Sequence, residues 1–336
     1  MGARSSRNTS QNNRSDGHLL TYYRQSFVRG GGATNPPPGI FSATGGTELT
    51  PGNGYKYHIF TTTGSFVVSD SPSPTQTEIF LVAGGGGAGA PLGGGGGAGG
   101  LVYHTSYPLP TGTYPVTVGA GGGGATGPGT PGTNTTGSRG SNSVFNGIIT
   151  AAGGGGGFPY YGDGITPPNQ VSGGSGGGYS PLAPGSVTQS ATQPTYNTPF
   201  VPDPNFSQYG YNGSPAGDPI GGSGGGAGGA GTAPGVGGPG RQYPQFAGPI
   251  IGLPALNPLN AYFAGGGAAG SRGTPLAGGA GGGGDSSPRP GYPNDWGNPG
   301  VQYSGGGAGG GFYSSTRAGN TAASGGDGIV IIRYAL

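Results

Sequence analysis

The residue types that carry most enzyme chemistry are sparse in this sequence. The three histidines, His18, His58 and His104, lie far apart, and no pair of carboxylates has a helical or metal-ligand spacing. Cysteine is absent, so a disulfide framework and a thiolate metal site are excluded. The sequence therefore predicts a protein that is not an enzyme and that holds neither a cofactor nor a metal ion.

Glycine-rich motifs for nucleotides and calcium are absent as well. A phosphate-binding loop needs a lysine after its last glycine, and the only lysine is Lys56. The dinucleotide pattern of three spaced glycines arises here from composition alone. A calcium-binding glycine-rich repeat would need several aspartates in each nonamer, whereas only isolated ones occur. The glycines must therefore have a structural role.

The composition is extreme, with 89 glycines and 34 prolines in 336 residues. By composition alone such a chain is low-complexity or disordered, and runs of four and five glycines exclude the collagen repeat. The charge is sparse, with 12 basic and 10 acidic residues, which argues against nucleic acid as the main partner and against ordinary disorder. No run of 18 apolar residues and no signal-peptide core occur, so neither membrane insertion nor general secretion is expected.

The stretch from Glu78 to Tyr103 shows how the glycine is used. Ile79 to Val82 form a continuous apolar run, which predicts a strand that is buried on both faces. This strand passes directly into a glycine run. Glycine runs then alternate along the chain with loops of other residue types. The blocks are Gly84–Gly87, Gly93–Gly97, Gly119–Gly129, Gly153–Gly157, Gly173–Gly178, Gly221–Gly231, Gly265–Gly270, Gly278–Gly284 and Gly305–Gly311.

Strand patterns surround these blocks. Tyr55–Phe60 and Ser65–Ser69 are predicted to form one small antiparallel sheet with the Glu78 strand, and Tyr55, Tyr57 and Ile59 should share a face. Residues 30–54 are predicted to be a linker or loop. The Asn146-Gly147 pair between apolar flanks predicts a hairpin. Further strands are predicted at Leu101–Tyr107, Thr113–Val118 and Ile329–Tyr334.

Glycine blocks that are bracketed by strands and substituted mainly by alanine favour ordered threefold helices over flexible linkers. Such helices have no internal hydrogen bonds, so their amide and carbonyl groups need neighbouring helices as partners. Only glycine allows that close approach. Gly221–Gly231 would span roughly 34 Å at about 3.1 Å per residue, and Ala227 and Ala230 are predicted to lie on an outer edge. Phe158, Phe263 and Phe312 should supply apolar burial at block ends.

The expected fold is thus mainly β and irregular, with essentially no α-helix: a small antiparallel sheet followed by a layered sandwich of polyglycine II helices with long loops. The expected division is an N-terminal arm and linker (1–45), a small β region (46–83) and a glycine-rich domain closed by a C-terminal strand (84–336).

Four sequence segments resemble a known family. YKYHIFTTTGSFVVS, EIFLVAGGGG, TYPVTVGAGGGG and GGDGIVIIRY resemble the glycine-rich domain common in bacteriophage tail-fibre proteins. The glycine blocks are also similar to those of the adhesins that cap the long tail fibre of T-even phages. Those adhesins join an N-terminal attachment region to a polyglycine II sandwich whose variable loops touch the host receptor. The resemblance covers roughly residues 50 to 336 and leaves the N-terminal arm unmatched.

The resemblance implies a receptor-binding adhesin on the virion surface, at the tail or tail fibre, whose partner is a host glycan or an outer-membrane protein. The alternatives are a structural or decoration protein of the phage capsid or tail, and a cellular glycine-rich surface protein. Aromatic residues in weakly charged loops suit sugar and protein surfaces. The receptor-contact candidates are Tyr196, Phe200, Phe206, Tyr209, Tyr211, Tyr243, Phe246, Tyr292 and Trp296. The alternative is that these aromatics cover the ends of the glycine sandwich.

The N-terminal arm is the expected anchor on another virion protein. Its first 17 residues are polar and are expected to be disordered alone, and LLTYYRQSFVR at 19–29 is either a docking segment or a strand of the protein's own sheet. Gly2 and Ser6 also fit a myristoylation pattern, although nothing else in the chain is membrane-like. The attachment candidates are Arg4, Arg7, Arg14, Tyr22, Tyr23, Arg24, Phe27 and Arg29.

Overall fold

The computed structural model describes residues 40–72, 76–90, 92–126, 135–159, 171–179, 190–193, 197, 203–216, 221–232, 235–253, 260–271, 274–287, 297–311 and 321–336. Residues 1–39, which contain all eight predicted attachment residues, lie outside these ranges.

Two antiparallel sheets form the β part of the molecule. A five-stranded sheet has the order β1-β4-β7-β8-β9, and a six-stranded sheet has the order β10-β6-β5-β13-β3-β2. The strands of the first are β1 (Ser42–Thr44), β4 (Gly64–Asp70), β7 (Gly112–Thr117), β8 (Ser143–Phe145) and β9 (Ile149–Ala151). Those of the second are β2 (Thr47–Leu49), β3 (Tyr55–Phe60), β5 (Gln76–Val82), β6 (Leu101–Pro108), β10 (Phe206–Tyr209) and β13 (Ile329–Ala335).

The predicted fold class is confirmed, because the described chain is mostly antiparallel β structure with essentially no helix. Its helical elements are a single 3-10 turn at Pro244–Phe246 and α1, a one-turn helix at Gly248–Ile251. Both lie between β11 (Arg241–Gln242) and β12 (Tyr262–Phe263), which pair with each other. The Asn146-Gly147 hairpin is also confirmed, with φ angles of 52° and 67° that match a type I′ turn.

The prediction of one small sheet was wrong. The strands β3, β4 and β5 are divided between two sheets, and β13 lies between β3 and β5. The distant C-terminal strand takes this central place because Val330 and Ile332 pack on one face of it and Ile329 and Ile331 on the other. Within the predicted linker 30–54, β1 and β2 are strands that extend the two sheets.

The six-stranded sheet is the middle layer and is buried on both faces. One face packs against the five-stranded sheet through residues such as Ile79, Leu81, Phe66 and Phe145. The opposite face carries Phe80 together with Tyr57, Ile59 and Tyr55, and the common face of the last three is as predicted. The segment from β11 to β12 covers that face, and Phe246 stacks on Phe80 with a centroid distance of 4.6 Å.

Beyond the ends of the strands, the glycine blocks form helices with threefold periodicity. Every third amide of the segment 84–89 donates to a backbone carbonyl group of the same neighbouring segment. Gly84 and Gly87 donate to Ser141 and Ser138. Gly85 and Ala88 donate to Gly326 and Ala323, and Gly86 and Gly89 donate to Gly97 and Gly94. The carbonyl groups of the same segment accept from 154–157, 122–125 and Ala308. Each third residue thus faces the same neighbour, as a polyglycine II helix requires.

The segment 94–100 repeats this arrangement, so the helices form a layered lattice. Its amides donate to carbonyl groups in 152–158, 222–225 and 305–308. Its carbonyl groups accept from Gly267 and from amides in 83–89 and 175–178. The contact leaves no room for side chains: a Cβ added at Gly86 would lie 2.0 Å from the carbonyl oxygen of Gly155. Glycine is therefore needed for the backbones to reach hydrogen-bonding distance.

The predicted edge position of Ala227 was wrong. Ala230 is exposed, but Ala227 is fully buried against the six-stranded sheet. The reason is that Gly221–Gly231 is not one straight helix, because the chain bends at 227–229 and the Gly226 amide donates to Gly229. A period-three exposed edge occurs instead on another helix, at Ala120, Gly123 and Thr126.

Candidate interaction surfaces

The strands and glycine helices give the molecule two different ends. β5, β7 and β9 run directly into the helices 84–90, 119–126 and 152–158, and the helices 93–100, 135–142 and 321–328 run into β6, β8 and β13. The two packed β-sheets are called the β-sandwich. Its end away from the lattice, called the base here, carries the turns at 50–54, 109–111 and 146–148. The opposite end of the lattice is called the distal face.

Contacts between neighbouring helices show that their ends meet at this distal face. The Gly94 amide donates to Phe158, whose own amide donates to Gly178. The Gly221 amide donates to Gly270, and the Ser287 amide to Gly310. Isolated bridges join Ala90 to Thr135 and Thr126 to Thr321. The described residues that flank the stretches 127–134, 217–220, 288–296 and 312–320 therefore lie at this face, while the stretches themselves are outside the described residues.

Two receptor-contact candidates are core residues. Phe246 is fully buried and stacks on Phe80, and Tyr243 is buried 5.0 Å from the same ring. Burial raises the pKa of the Tyr243 hydroxyl. These two side chains have no surface for a receptor, so the prediction was wrong for them. They cover a face of the six-stranded sheet rather than the ends of the glycine sandwich, which the alternative had named.

Three other candidates lie on or beside β10, an edge strand of the six-stranded sheet. Phe206 is half-buried against the core between the sheets. Tyr209 is half-buried beneath the guanidinium of Arg241, which lies 3.7 Å from its ring centroid. Tyr211 is 41% exposed on the side of the lattice. Of these three, Tyr211 offers the most contact surface.

Tyr196, Phe200, Tyr292 and Trp296 lie outside the described residues. The described residues beside Tyr196 lie in a different place from those beside Tyr292 and Trp296. Gln193 and Asn197, beside Tyr196, bond to β9 within the sandwich, whereas Ser287 and Gly297 bracket Tyr292 and Trp296 and lie at the distal end of the lattice. The candidates that the structure describes therefore do not belong to one surface.

The edge of β9 is closed by side chains that the sequence did not single out. The Asn197 side-chain oxygen accepts from the Thr150 amide, and its Nδ2 donates to the Thr150 carbonyl. Gln193 accepts from the Ala152 amide in the same way. These amide side chains occupy the positions of a further strand, which blocks pairing with another chain. Nothing local in the sequence marks them, because they act across a gap of more than 40 residues.

The most buried ionic group joins β5 to β13. Arg333 Nη2 lies 2.8 Å from Glu78 Oε1, with both side chains mostly buried, and the Tyr103 hydroxyl donates to Glu78 Oε2. The guanidinium also stacks on Tyr55, 4.2 Å from its centroid. Burial, together with the hydrogen bond to Glu78, raises the pKa of Tyr103 to about 12. The group has the character of a structural ion pair rather than of a reactive centre.

The two described histidines are structural as well. His58 Nδ1 lies 2.8 Å from the Gly45 carbonyl and Nε2 3.3 Å from the Tyr334 hydroxyl, so a neutral ring satisfies both partners. His104 Nε2 lies 3.3 Å from Asp203 Oδ2. Burial lowers the pKa of both rings. Within the described ranges, no group of three or more metal-ligating side chains occurs.

Comparison with known proteins is consistent with this architecture. No curated protein sequence matches the chain, and among the described residues no helix is long and apolar enough to span a membrane. A family model described as a glycine-rich domain matches residues 61–335, a range that begins before β4 and ends within β13 and so includes the lattice. The chain therefore belongs to the glycine-rich domain family.

Proposed function

We propose that this chain is a non-enzymatic bacteriophage virion protein that binds a host-cell surface molecule through the distal face of its glycine lattice. The observation that carries the proposal is that the glycine helices end together at one face. A rigid array of ends is a suitable platform for variable loops, since loops on a fixed scaffold commonly carry binding residues.

The composition of the joining stretches supports contact with a sugar or an outer-membrane protein. The stretch 288–296 contains Tyr292 and Trp296, and 312–320 contains Phe312 and Tyr313. Aromatic side chains supply large contact area for little loss of rotamer entropy. These stretches carry few charges, so adsorption should depend only weakly on salt. The resemblance to tail-fibre proteins supports a location on the virion, where the N-terminal arm would anchor the chain to another virion protein.

Adsorption of particles to host cells tests the proposal. Replacing Tyr292 and Trp296 together by alanine should slow adsorption at least tenfold, whereas Tyr211→Ala, on the side of the lattice, should leave it within about twofold; these factors correspond to about 1.4 and 0.4 kcal/mol. Variant chains must be present in the particles at normal amounts for the comparison to hold. Unchanged adsorption with normal incorporation would favour the structural or decoration role in the capsid or tail.

A further inference from the structure

The base carries three exposed aliphatic side chains, called the base patch here: Ile40, Ile250 and Leu336. Their exposed fractions are 78%, 49% and 64%. Large exposed hydrophobic residues that occur singly need no explanation. These three, however, lie at the same end of the molecule and are linked through intermediate residues from separate parts of the chain.

A continuous series of contacts joins the three residues. Phe41, next to Ile40, packs edge-on against Tyr334 with a centroid distance of 4.4 Å. Two residues further on, the Leu336 amide donates to the Gly54 carbonyl at 3.0 Å. Asn53, adjacent to Gly54, donates from Nδ2 to the Ile250 carbonyl at 3.5 Å. The edge strands and α1 thus hold the patch in a fixed arrangement on the end of the molecule opposite the distal face.

The place where the N-terminal arm joins the domain indicates what covers the patch. The arm reaches the described structure at Ile40, a member of the patch, immediately before β1. Residues 1–39 contain five arginines, Arg4, Arg7, Arg14, Arg24 and Arg29, against the single acid Asp16. The ten residues 30–39 can reach at most about 35 Å when fully extended. A partner that binds residues 19–29 is therefore tethered within about 35 Å of Ile40, a distance that includes the base patch.

We propose that the base patch seats on another virion protein, in an apolar depression whose rim is acidic. The aliphatic side chains fill the depression, and the carboxylates at its rim pair with the arginines of the arm. This division between an apolar centre and a charged rim is the usual anatomy of a specific interface. The inference rests on the proposed function, because it names the partner chemistry of the attachment end of the same virion protein.

The test uses purified particles that lack the chain, reconstituted with the purified full-length chain, and measures occupancy by quantitative mass spectrometry. Ile250→Asp should reduce occupancy at least tenfold at limiting chain concentration, because it puts a negative charge into an apolar contact beside acidic groups. Ile250→Lys should reduce it less, since its charge is opposite to that of the rim. The matched control is Val67→Asp, at a 37% exposed aliphatic residue on β4, which should leave occupancy unchanged.

Circular dichroism and thermal unfolding establish that each variant is folded, and Ile250 is exposed enough to tolerate a polar side chain. Normal occupancy of folded Ile250→Asp would overturn the seating while leaving the proposed function in place. A wild-type chain that neither rejoins these particles nor occurs in native ones would overturn the virion assignment itself. Sedimentation that shows a wild-type dimer and an Ile250→Asp monomer would identify a second copy as the occupant and would also overturn the seating.

Discussion

A Cβ added at Gly96 would lie 2.0 Å from the carbonyl oxygen of Gly86, so these two glycine helices meet with no space for a methyl group. The Gly86 amide donates to Gly97 at 2.8 Å across the same contact. Because the obstructing atom belongs to the backbone of a helix that is held on all sides, it cannot move aside as a flexible side chain would.

Gly96→Ala should therefore destabilise the protein by about 3 kcal/mol or more, at or above the upper end of the usual cost of overpacking. The control is Gly123→Ala, because a Cβ at Gly123 meets nothing within 4 Å. This control should change stability by less than about 1 kcal/mol, or increase it slightly through reduced freedom of the unfolded chain. Denaturant unfolding of both variants gives the comparison, and equal stability of the two would contradict the packing described here.

Two buried serines should respond in opposite ways to alanine. The Ser175 hydroxyl is buried without a hydrogen-bond partner in the described structure, whereas Ser143 Oγ accepts from the Gly119 amide and donates to the Val82 carbonyl. Ser175→Ala should stabilise the protein by about 1 kcal/mol and Ser143→Ala should destabilise it by about 1–3 kcal/mol. Ser175→Val should be destabilising because it adds volume within the lattice. Thermal unfolding of the three variants checks this order of stabilities. A Ser143→Ala variant that is more stable than the wild type would contradict it.

The stability of the protein should fall when the pH is lowered from 7 towards 5. Burial holds the pKa of His58 and His104 below the ordinary value of 6.5, so below this pH the unfolded chain takes up protons before the folded one. The loss can reach about 1.4 kcal/mol per pH unit for each ring. Glu48, whose pKa is lowered mainly by Lys56, contributes stability that is lost only below its ordinary value of 4.5.

Unfolding free energies measured between pH 7 and 5 check this dependence, and each of His58→Gln and His104→Gln should flatten it in part. A wild-type stability that stays constant or rises on acidification over this interval would show that the folded rings accept protons readily.

The ion pair between Glu78 and Arg333 should matter far more than the pair between Glu48 and Lys56. Glu78→Gln leaves the Arg333 guanidinium buried without its counter-charge, and removing one partner of such a pair costs about 3–5 kcal/mol. The pair of Glu48 and Lys56 is 2.8 Å long but has side chains 34% and 24% exposed, so Glu48→Gln should cost at most about 1 kcal/mol. Chemical denaturation of both variants measures the difference, and similar costs would mean that water reaches Arg333.

Local patterns predicted the strands and the helices of the lattice well. The apolar run at Ile79–Val82, the Asn146-Gly147 turn and the C-terminal strand from Ile329 could be identified because each is encoded by adjacent residues. Which strands pair with each other could not be predicted in the same way. The pairing of β13 with both β3 and β5 joins residues more than 240 positions apart, and nothing in either segment specifies the other.

The candidate site was harder to predict than the fold. An aromatic residue in a proline-rich segment has the same local pattern whether it faces solvent, as Tyr211 does, or the core, as Phe246 does. A straight helix would put Ala227 on an outer edge, whereas the bend at 227–229 buries it. The common distal face follows from hydrogen bonds between helices, which composition alone does not reveal.

Amide hydrogen exchange resolved at single residues is the most direct test of the glycine lattice. In the helix 119–126, the amides of Gly122 and Ala125 donate to the carbonyl groups of Gly85 and Ala88, whereas those of Ala120 and Gly123 have no partner in the described structure and are exposed. Protection should therefore repeat with a period of three, with Gly122 and Ala125 exchanging at least a hundredfold more slowly than Ala120 and Gly123, about 2.7 kcal/mol in opening free energy. Uniformly fast exchange through the glycine blocks would mean flexible linkers, and alternation with a period of two would mean ordinary strands; either result would contradict the account.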